Sequence, residues 1–266
     1  VNNIIIITDL DGTLLHPRTY SFKEAQPALQ VIREMKIPLI FCSSKTRAEI
    51  EVYRIKLNNQ HPFISENGGG IFIPAHYFSF PVDGEQDDKY SRITLGTPYP
   101  LIRNEFMSLR KRLGLKVKGF GDMNPKEIMK LTGLPAKEAD LARKRDFDEP
   151  FIFQVKRENR FLRAIEEVGL QWTAGRLFHI MGNHDKGKAV DILKKLYKRE
   201  RGNIQTVGLG DNLNDVPMLR TVDRPVLICH PDGKHETRIE IPGLLKTGPA
   251  GDAGWNKAVL SLLEEM

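Results

Sequence analysis

Cysteine is scarce in this chain. Two residues among 266, Cys42 and Cys229, cannot build a disulfide framework, so a reduced, cytoplasmic home is the expectation. Long apolar runs are absent too: runs such as Ile4 to Ile7 fall far short of the roughly 20 residues that cross a bilayer. The apolar N-terminal stretch has no basic region before it and meets Asp9 and Asp11 at once, so it does not read as a secretory signal. Also missing is a basic stripe interleaved with aromatics. The formal net charge is +6, but Lys and Arg are scattered, with clusters no longer than Lys194-Lys195 or Arg143-Lys144-Arg145. This favours small anionic ligands over nucleic acid. No HExxH, nucleophile elbow or zinc-type Cys/His spacing occurs. Apolar residues make up 40% and recur along the chain, which excludes disorder as the main state and supplies a full core.

The apolar runs alternate in the rhythm of an α/β fold. Ile4–Thr8 is a continuous β-branched run, the pattern of a strand buried on both faces of a parallel sheet. Helices are expected over 22–35, with Ser21 as N-cap and Glu24 three residues on, and over 46–57. Strands are expected over 38–42, 63–65 and 71–73. Residues 83–91 are polar and read as a linker. An α+β stretch follows: a strand over 92–95, a helix over 101–113 closed by Gly114, a strand at Val117, helices over 125–131 and 135–145, a strand over 151–155, a helix over 160–168 and one or two strands over 171–181. The α/β rhythm returns with a helix over 186–197, a strand over 205–209, a short helix over 216–219, a strand over 225–229 and a last helix over 255–265. The expected organisation is a discontinuous core, residues 1–82 and 183–266, with a second domain inserted at 83–182.

Four pieces carry chemistry. Asp9-Leu10-Asp11-Gly12-Thr13 directly follows the first buried strand. Residues i and i+2 of extended chain point the same way, so Asp9 and Asp11 can face one site at the carboxyl end of the sheet, where open α/β sheets bind ligands. Gly210-Asp211-Asn212-Leu213-Asn214-Asp215 also follows an apolar strand, and its carboxylates and amides suit a hard cation with oxygen ligands. Either piece alone could be a capped helix start; two such pieces together are hard to explain that way. Ser43, at the end of the second strand, offers a hydroxyl to a phosphoryl oxygen. Lys186, at the start of a later helix, can neutralise an anion. The run from Gly182 to Lys188 imitates a P-loop, but Ala189 follows where magnesium needs a hydroxyl. Asp9-Leu10-Asp11-Gly12 imitates a calcium loop with its glycine two positions early.

Taken in order, the four pieces resemble the haloacid dehalogenase-like phosphohydrolase superfamily. The insert after the third core strand resembles the cap of its Cof-type (C2B) branch. The stretch Ser43 to Glu49, the Glu66-Asn67-Gly68-Gly69 turn, Arg145 to Pro150 and Gly175 to His179 are similar to the mannosyl-3-phosphoglycerate phosphatase family, and Ser43-Ser44-Lys45 departs from the Thr-Gly-Arg common in the wider branch. The resemblance implies a Rossmann-like parallel-sheet core under an α+β cap. It implies Asp9 as nucleophile and Asp11 as acid and base. It implies Mg2+ held by Asp9, the Asp11 carbonyl and Asp211, with Asp215 in or near the shell, and Ser43 and Lys186 on the phosphoryl oxygens. The implied substrate is a small phosphorylated glycosyl glycerate. Ser44, Lys45, Arg47, Glu66, Asn67, Gly68, Gly69, Arg145, Arg176, His179 and Asn214 are the candidates to touch it. Rival readings are a phosphatase of glucosyl-3-phosphoglycerate or sucrose 6-phosphate, a phosphomutase, and a sugar-phosphate sensor without turnover.

Overall fold

The computed structural model describes residues 3–265. Strand β1 (Ile4–Thr8) is buried throughout, as its unbroken β-branched run requires. Helix α1 (Gln26–Glu34) leads to β2 (Leu39–Cys42), and α2 (Arg47–Lys56) to β3 (Phe63–Ser65). Thr46 caps α2 in a reciprocal capping box with Glu49. The chain then doubles back through β4 (Gly70–Pro74), β5 (Glu85–Gln86) and β6 (Tyr90–Thr94), which pair antiparallel along the same sheet.

The inserted part holds α3 (Tyr99–Leu113), β7 (Val117–Gly119), α4 (Pro125–Thr132), α5 (Ala136–Leu141), β8 (Asp148–Phe153), α6 (Asn159–Glu167), β9 (Gln171–Ala174) and β10 (Phe178–Met181). Its four strands form an antiparallel sheet in the order β7-β8-β10-β9. Successive residues of β8 face opposite ways: Phe151 joins the α3 and α6 side chains Phe106 and Phe161, while Ile152 packs with Ile128 and Ala139 on the other face.

The chain returns through α7 (Lys186–Arg201), β11 (Gln205–Gly210), α8 (Val216–Thr221), β12 (Arg224–Cys229), β13 (Leu245–Ala250) and α9 (Gly251–Glu264). The large sheet runs β13-β12-β11-β1-β2-β3-β4-β6-β5, and its first six strands are parallel. Two apolar layers cover it. Ile4 and Ile6 point to the side of Leu29 and Trp255, Ile5 and Ile7 to the side of Val190 and Met218. β1 therefore sits mid-sheet between β11 and β2, so the loops after all three strands open onto one spot.

Several expectations need correction. Residues 83–91 are not a free linker. Both residues of β5 are exposed because they form a sheet edge, and this explains their polarity. The cap elements run from Tyr99 to Met181, so 83–94, assigned to the insert from sequence, lie on the core sheet. The helix expected over 135–145 stops at Leu141, and 142–147 is irregular. The first helix begins as a 3₁₀ turn after Phe22, not Ser21; the Ser21 hydroxyl accepts the Lys23 N–H at 3.1 Å. Strand β13 was unforeseen, since its Lys, Gly and Pro break the apolar pattern.

Candidate active site

Asp9 follows β1 directly, and its N–H is donated to the Leu209 carbonyl of β11 at 2.9 Å. The chain then turns at Gly12, whose φ is 85°. A Cβ there would lie 2.7 Å from Asp211 Oδ2, so the turn needs glycine for conformation and for space. The Thr13 hydroxyl donates to Asp211 Oδ1 at 3.2 Å. After β11, Asp215 Oδ2 accepts the N–H groups of Asp211 and Asn212, each at 3.0 Å, which folds the second acidic turn back on itself. Lys186 opens α7 and is wholly buried. Its ammonium donates to Asp9 Oδ1 and Asp215 Oδ1, both at 2.6 Å.

Asp9, Asp211 and Asp215 each offer a carboxylate oxygen, and these lie within 4.8 Å of one another. One ammonium cannot balance three carboxylates. Burial pushes Asp9 up to about 7, with Lys186 pulling it back and Asp215 adding to the rise. Burial, Asp215 and Asp9 hold Asp211 well above the usual carboxylate range. Burial opposes the charge on Lys186, but Asp215 and Asp9 outweigh it and keep the ammonium protonated. Asp11 Oδ1 is buried without a partner. An all-oxygen, charge-rich donor set of this kind fits a hard divalent cation.

Above this cluster lies a cavity of about 490 Å³ between core and cap, walled by Asp9, Asp11, Ser44, Lys45, Asn214 and Asp211 from below and by Arg145, Arg176 and His179 from above. Lys45 Nζ sits 3.0 Å from Asp11 Oδ2 and 3.4 Å from Glu49 Oε1. Ser43 is buried behind the wall; its Oγ accepts the Lys45 N–H at 3.3 Å. Arg176 donates to the Tyr20 hydroxyl at 3.1 Å, and Tyr20 donates to the Thr132 carbonyl at 2.8 Å, joining core and cap.

Five expected substrate contacts do not line the cavity. Arg47 pairs with Glu51 at 3.0 Å and stacks on Phe72 and Tyr90. Glu66 is fully buried and accepts the N–H groups of Asp146, Phe147 and Asp148 at 2.7–3.1 Å. Asn67 donates to Asp148 at 3.2 Å and accepts from Asn214 at 3.1 Å. A Cβ on Gly68 would lie 2.2 Å from the Asp185 carbonyl, and one on Gly69 would lie 2.4 Å from Phe147 Cβ. The 66–69 turn is thus the joint between core and cap. Sequence reasoning missed Tyr20, Asp148 and His230, whose Nε2 lies 2.8 Å from the Asp211 carbonyl. Of these, Asp148 lies inside the Arg145 to Pro150 stretch noted in the sequence, and His230 follows an apolar strand end as Asp9 and Asp211 do.

The family model of haloacid dehalogenase-like hydrolases matches residues 6–79. The chain is 46% identical over 264 residues to the glucosyl-3-phosphoglycerate/mannosyl-3-phosphoglycerate phosphatase of Methanococcoides burtonii, covering 97% of each chain. It is 40% identical to the mannosyl-3-phosphoglycerate phosphatase of Pyrococcus horikoshii, covering 84% of this chain and 90% of that one. Its fold matches a HAD subclass IIB sugar phosphatase with a TM-score of 0.67 at 17% identity, over 97% of this chain and 98% of the other. The fold, the carboxylate cluster and these likenesses agree: the chain is a phosphatase of the haloacid dehalogenase-like hydrolase family.

Proposed function

We propose that this phosphatase hydrolyses mannosyl-3-phosphoglycerate and glucosyl-3-phosphoglycerate to the glycosylglycerate and inorganic phosphate, with magnesium as cofactor. The observation that carries the reading is the cavity itself. Asp9, held by the buried Lys186 ammonium behind it, lies on its floor, and the Arg145 and Arg176 guanidiniums lie on its roof. A ligand that meets both groups needs two anionic centres, and a phosphoglycerate has a phosphate and a carboxylate. The names of the two relatives support the same substrate class.

Asp9, Asp211 and the Asp11 carbonyl would hold the magnesium, with Asp215 beside them. When bound, magnesium would offset the repulsion between a carboxylate nucleophile and a phosphate dianion. A carboxylate oxygen of Asp9 attacks phosphorus, and the bond from phosphorus to the glycerate oxygen breaks. Asp11 donates a proton to that leaving oxygen. It then takes a proton from water, whose oxygen attacks the aspartyl phosphate and releases phosphate and free Asp9. Lys186 keeps its charge throughout and faces the phosphoryl oxygens from Asp9.

Phosphate release with magnesium tests this on both glycosyl phosphoglycerates, sucrose 6-phosphate and simple hexose phosphates. The expected result is a kcat/KM on the two phosphoglycerates well above all others. Equal, weak turnover across the panel would reject the substrate assignment, and a transient bisphosphate with little free phosphate would indicate a mutase.

A further inference from the structure

We infer that Asp148 is the positioning residue that presents Arg145 and His179 to the carboxylate of the substrate's glycerate. The inference rests on the phosphoglycerate reading above. Asp148 opens β8 and is wholly buried, and it does not reach the cavity. Arg145 and His179 do. Its Oδ1 accepts from Arg145 Nη2, while Oδ2 accepts from His179 Nδ1 at 2.9 Å and from Asn67 at 3.2 Å. Its own N–H is tied to Glu66 at 3.0 Å. One carboxylate therefore orients two cavity-lining cap side chains at once.

The orientation has a direction. Holding Nδ1–H leaves His179 Nε2 as the ring nitrogen free to meet a ligand. Holding Nη2, which also donates to the Ser44 carbonyl at 2.9 Å, pins Arg145 at the seam beside the phosphate-binding floor. The glycerate carbons connect phosphate to sugar, so their carboxylate falls next to that floor, where Arg145 stands. Its Nε also lies 3.4 Å from Glu66 Oε2, and a guanidinium held this firmly where it lines the cavity is preorganised for a carboxylate. Burial alone would raise Asp148, but Arg145 and His179 overcome it and hold its carboxyl down at about 2. The charge that orients them is thus present at all working pH values.

The test is Asp148→Asn, assayed on mannosyl-3-phosphoglycerate and on p-nitrophenyl phosphate, which has no carboxylate. Losing a buried charge-assisted bond predicts a KM for the phosphoglycerate raised roughly tenfold or more, with kcat within about threefold. On p-nitrophenyl phosphate, kcat/KM should fall by less than about threefold. Arg145→Lys and His179→Gln should share the KM phenotype, and each double variant with Asp148→Asn should be less impaired than additivity predicts. If Asp148→Asn does not fold, those two variants and their double decide the matter on the same readouts. Equal losses on both substrates, no loss on either, or additive losses would overturn the inference. The wild-type preference for phosphoglycerates over p-nitrophenyl phosphate is the separate measurement that tests the underlying reading.

Discussion

Asp9, Asp211 and Asp215 crowd three carboxylates around the single ammonium of Lys186, and protonation relieves part of that crowding. Asp9 stands near 7 against an ordinary value of 3.8. A raised folded-state pKa means that the folded, metal-free site binds a proton the unfolded chain has released. The stability this brings is complete below about 3.8 and is lost as pH rises through about 7. A divalent cation needs the ionised carboxylate and competes with that proton. Saturating magnesium should therefore raise the melting temperature more at pH 8 than at pH 6, as scanning fluorimetry reads it; an equal or smaller shift at pH 8 would contradict this. These residues were unequally legible in the sequence. Asp9 and Asp11 could be read from chain geometry, because i and i+2 share a face after a strand. Lys186 and its partner Asp9 are 177 positions apart, so only resemblance joined them. Asp148 fell inside the Arg145 to Pro150 resemblance, but its role was not legible there, because besides nearby Arg145 its partners come from β10 and from the loop after β3.

Periodicity announced most of the buried elements, because an apolar run or stripe is the same signal that drives burial. It failed at exposed edges: β5 exposes both its residues, β13 buries only one of six, and neither shows such a pattern. It also overran α5, where Arg143, Lys144 and Arg145 have no helical stripe and the chain instead descends to the site. The turn over 66–69 was legible as a turn but not as a joint, because its glycines answer to neighbours distant in sequence. Gly68 has a φ of 99°, and an added Cβ would lie 2.2 Å from the Asp185 backbone. Gly68→Ala should cost about 2 kcal/mol or more. Urea unfolding of wild type and variant measures it, and unchanged midpoints would show that the joint has slack the distances deny.

The molecule as a whole completes its site only when cap and core meet, since neither supplies all the walls. Several bonds hold them, among them Tyr53 and Lys56 of α2 to Glu138 of α5, each at 2.9 Å. Glu66 takes three backbone N–H groups of the cap on one side, and Tyr20 reaches the Thr132 carbonyl on the other. A neutral hydrogen bond contributes about 1 kcal/mol, so Tyr20→Phe should speed hydrogen exchange of amides around Thr132 roughly fivefold through increased opening. No change in exchange would remove Tyr20 as a latch. The cap's place in the chain was readable from the interruption of the α/β rhythm, but its first boundary was not. Residues 83–94 are polar enough to pass for an insert while pairing with the core sheet. In the proposed mechanism Asp9 attacks phosphorus from the end of β1, and every later step follows from that attack. The most direct test is phosphate release from mannosyl-3-phosphoglycerate by Asp9→Asn, at saturating substrate and magnesium. A kcat lower by roughly a thousandfold or more, in a variant that still binds the substrate, is the predicted result. A variant that keeps its rate within about tenfold of wild type would contradict the mechanism.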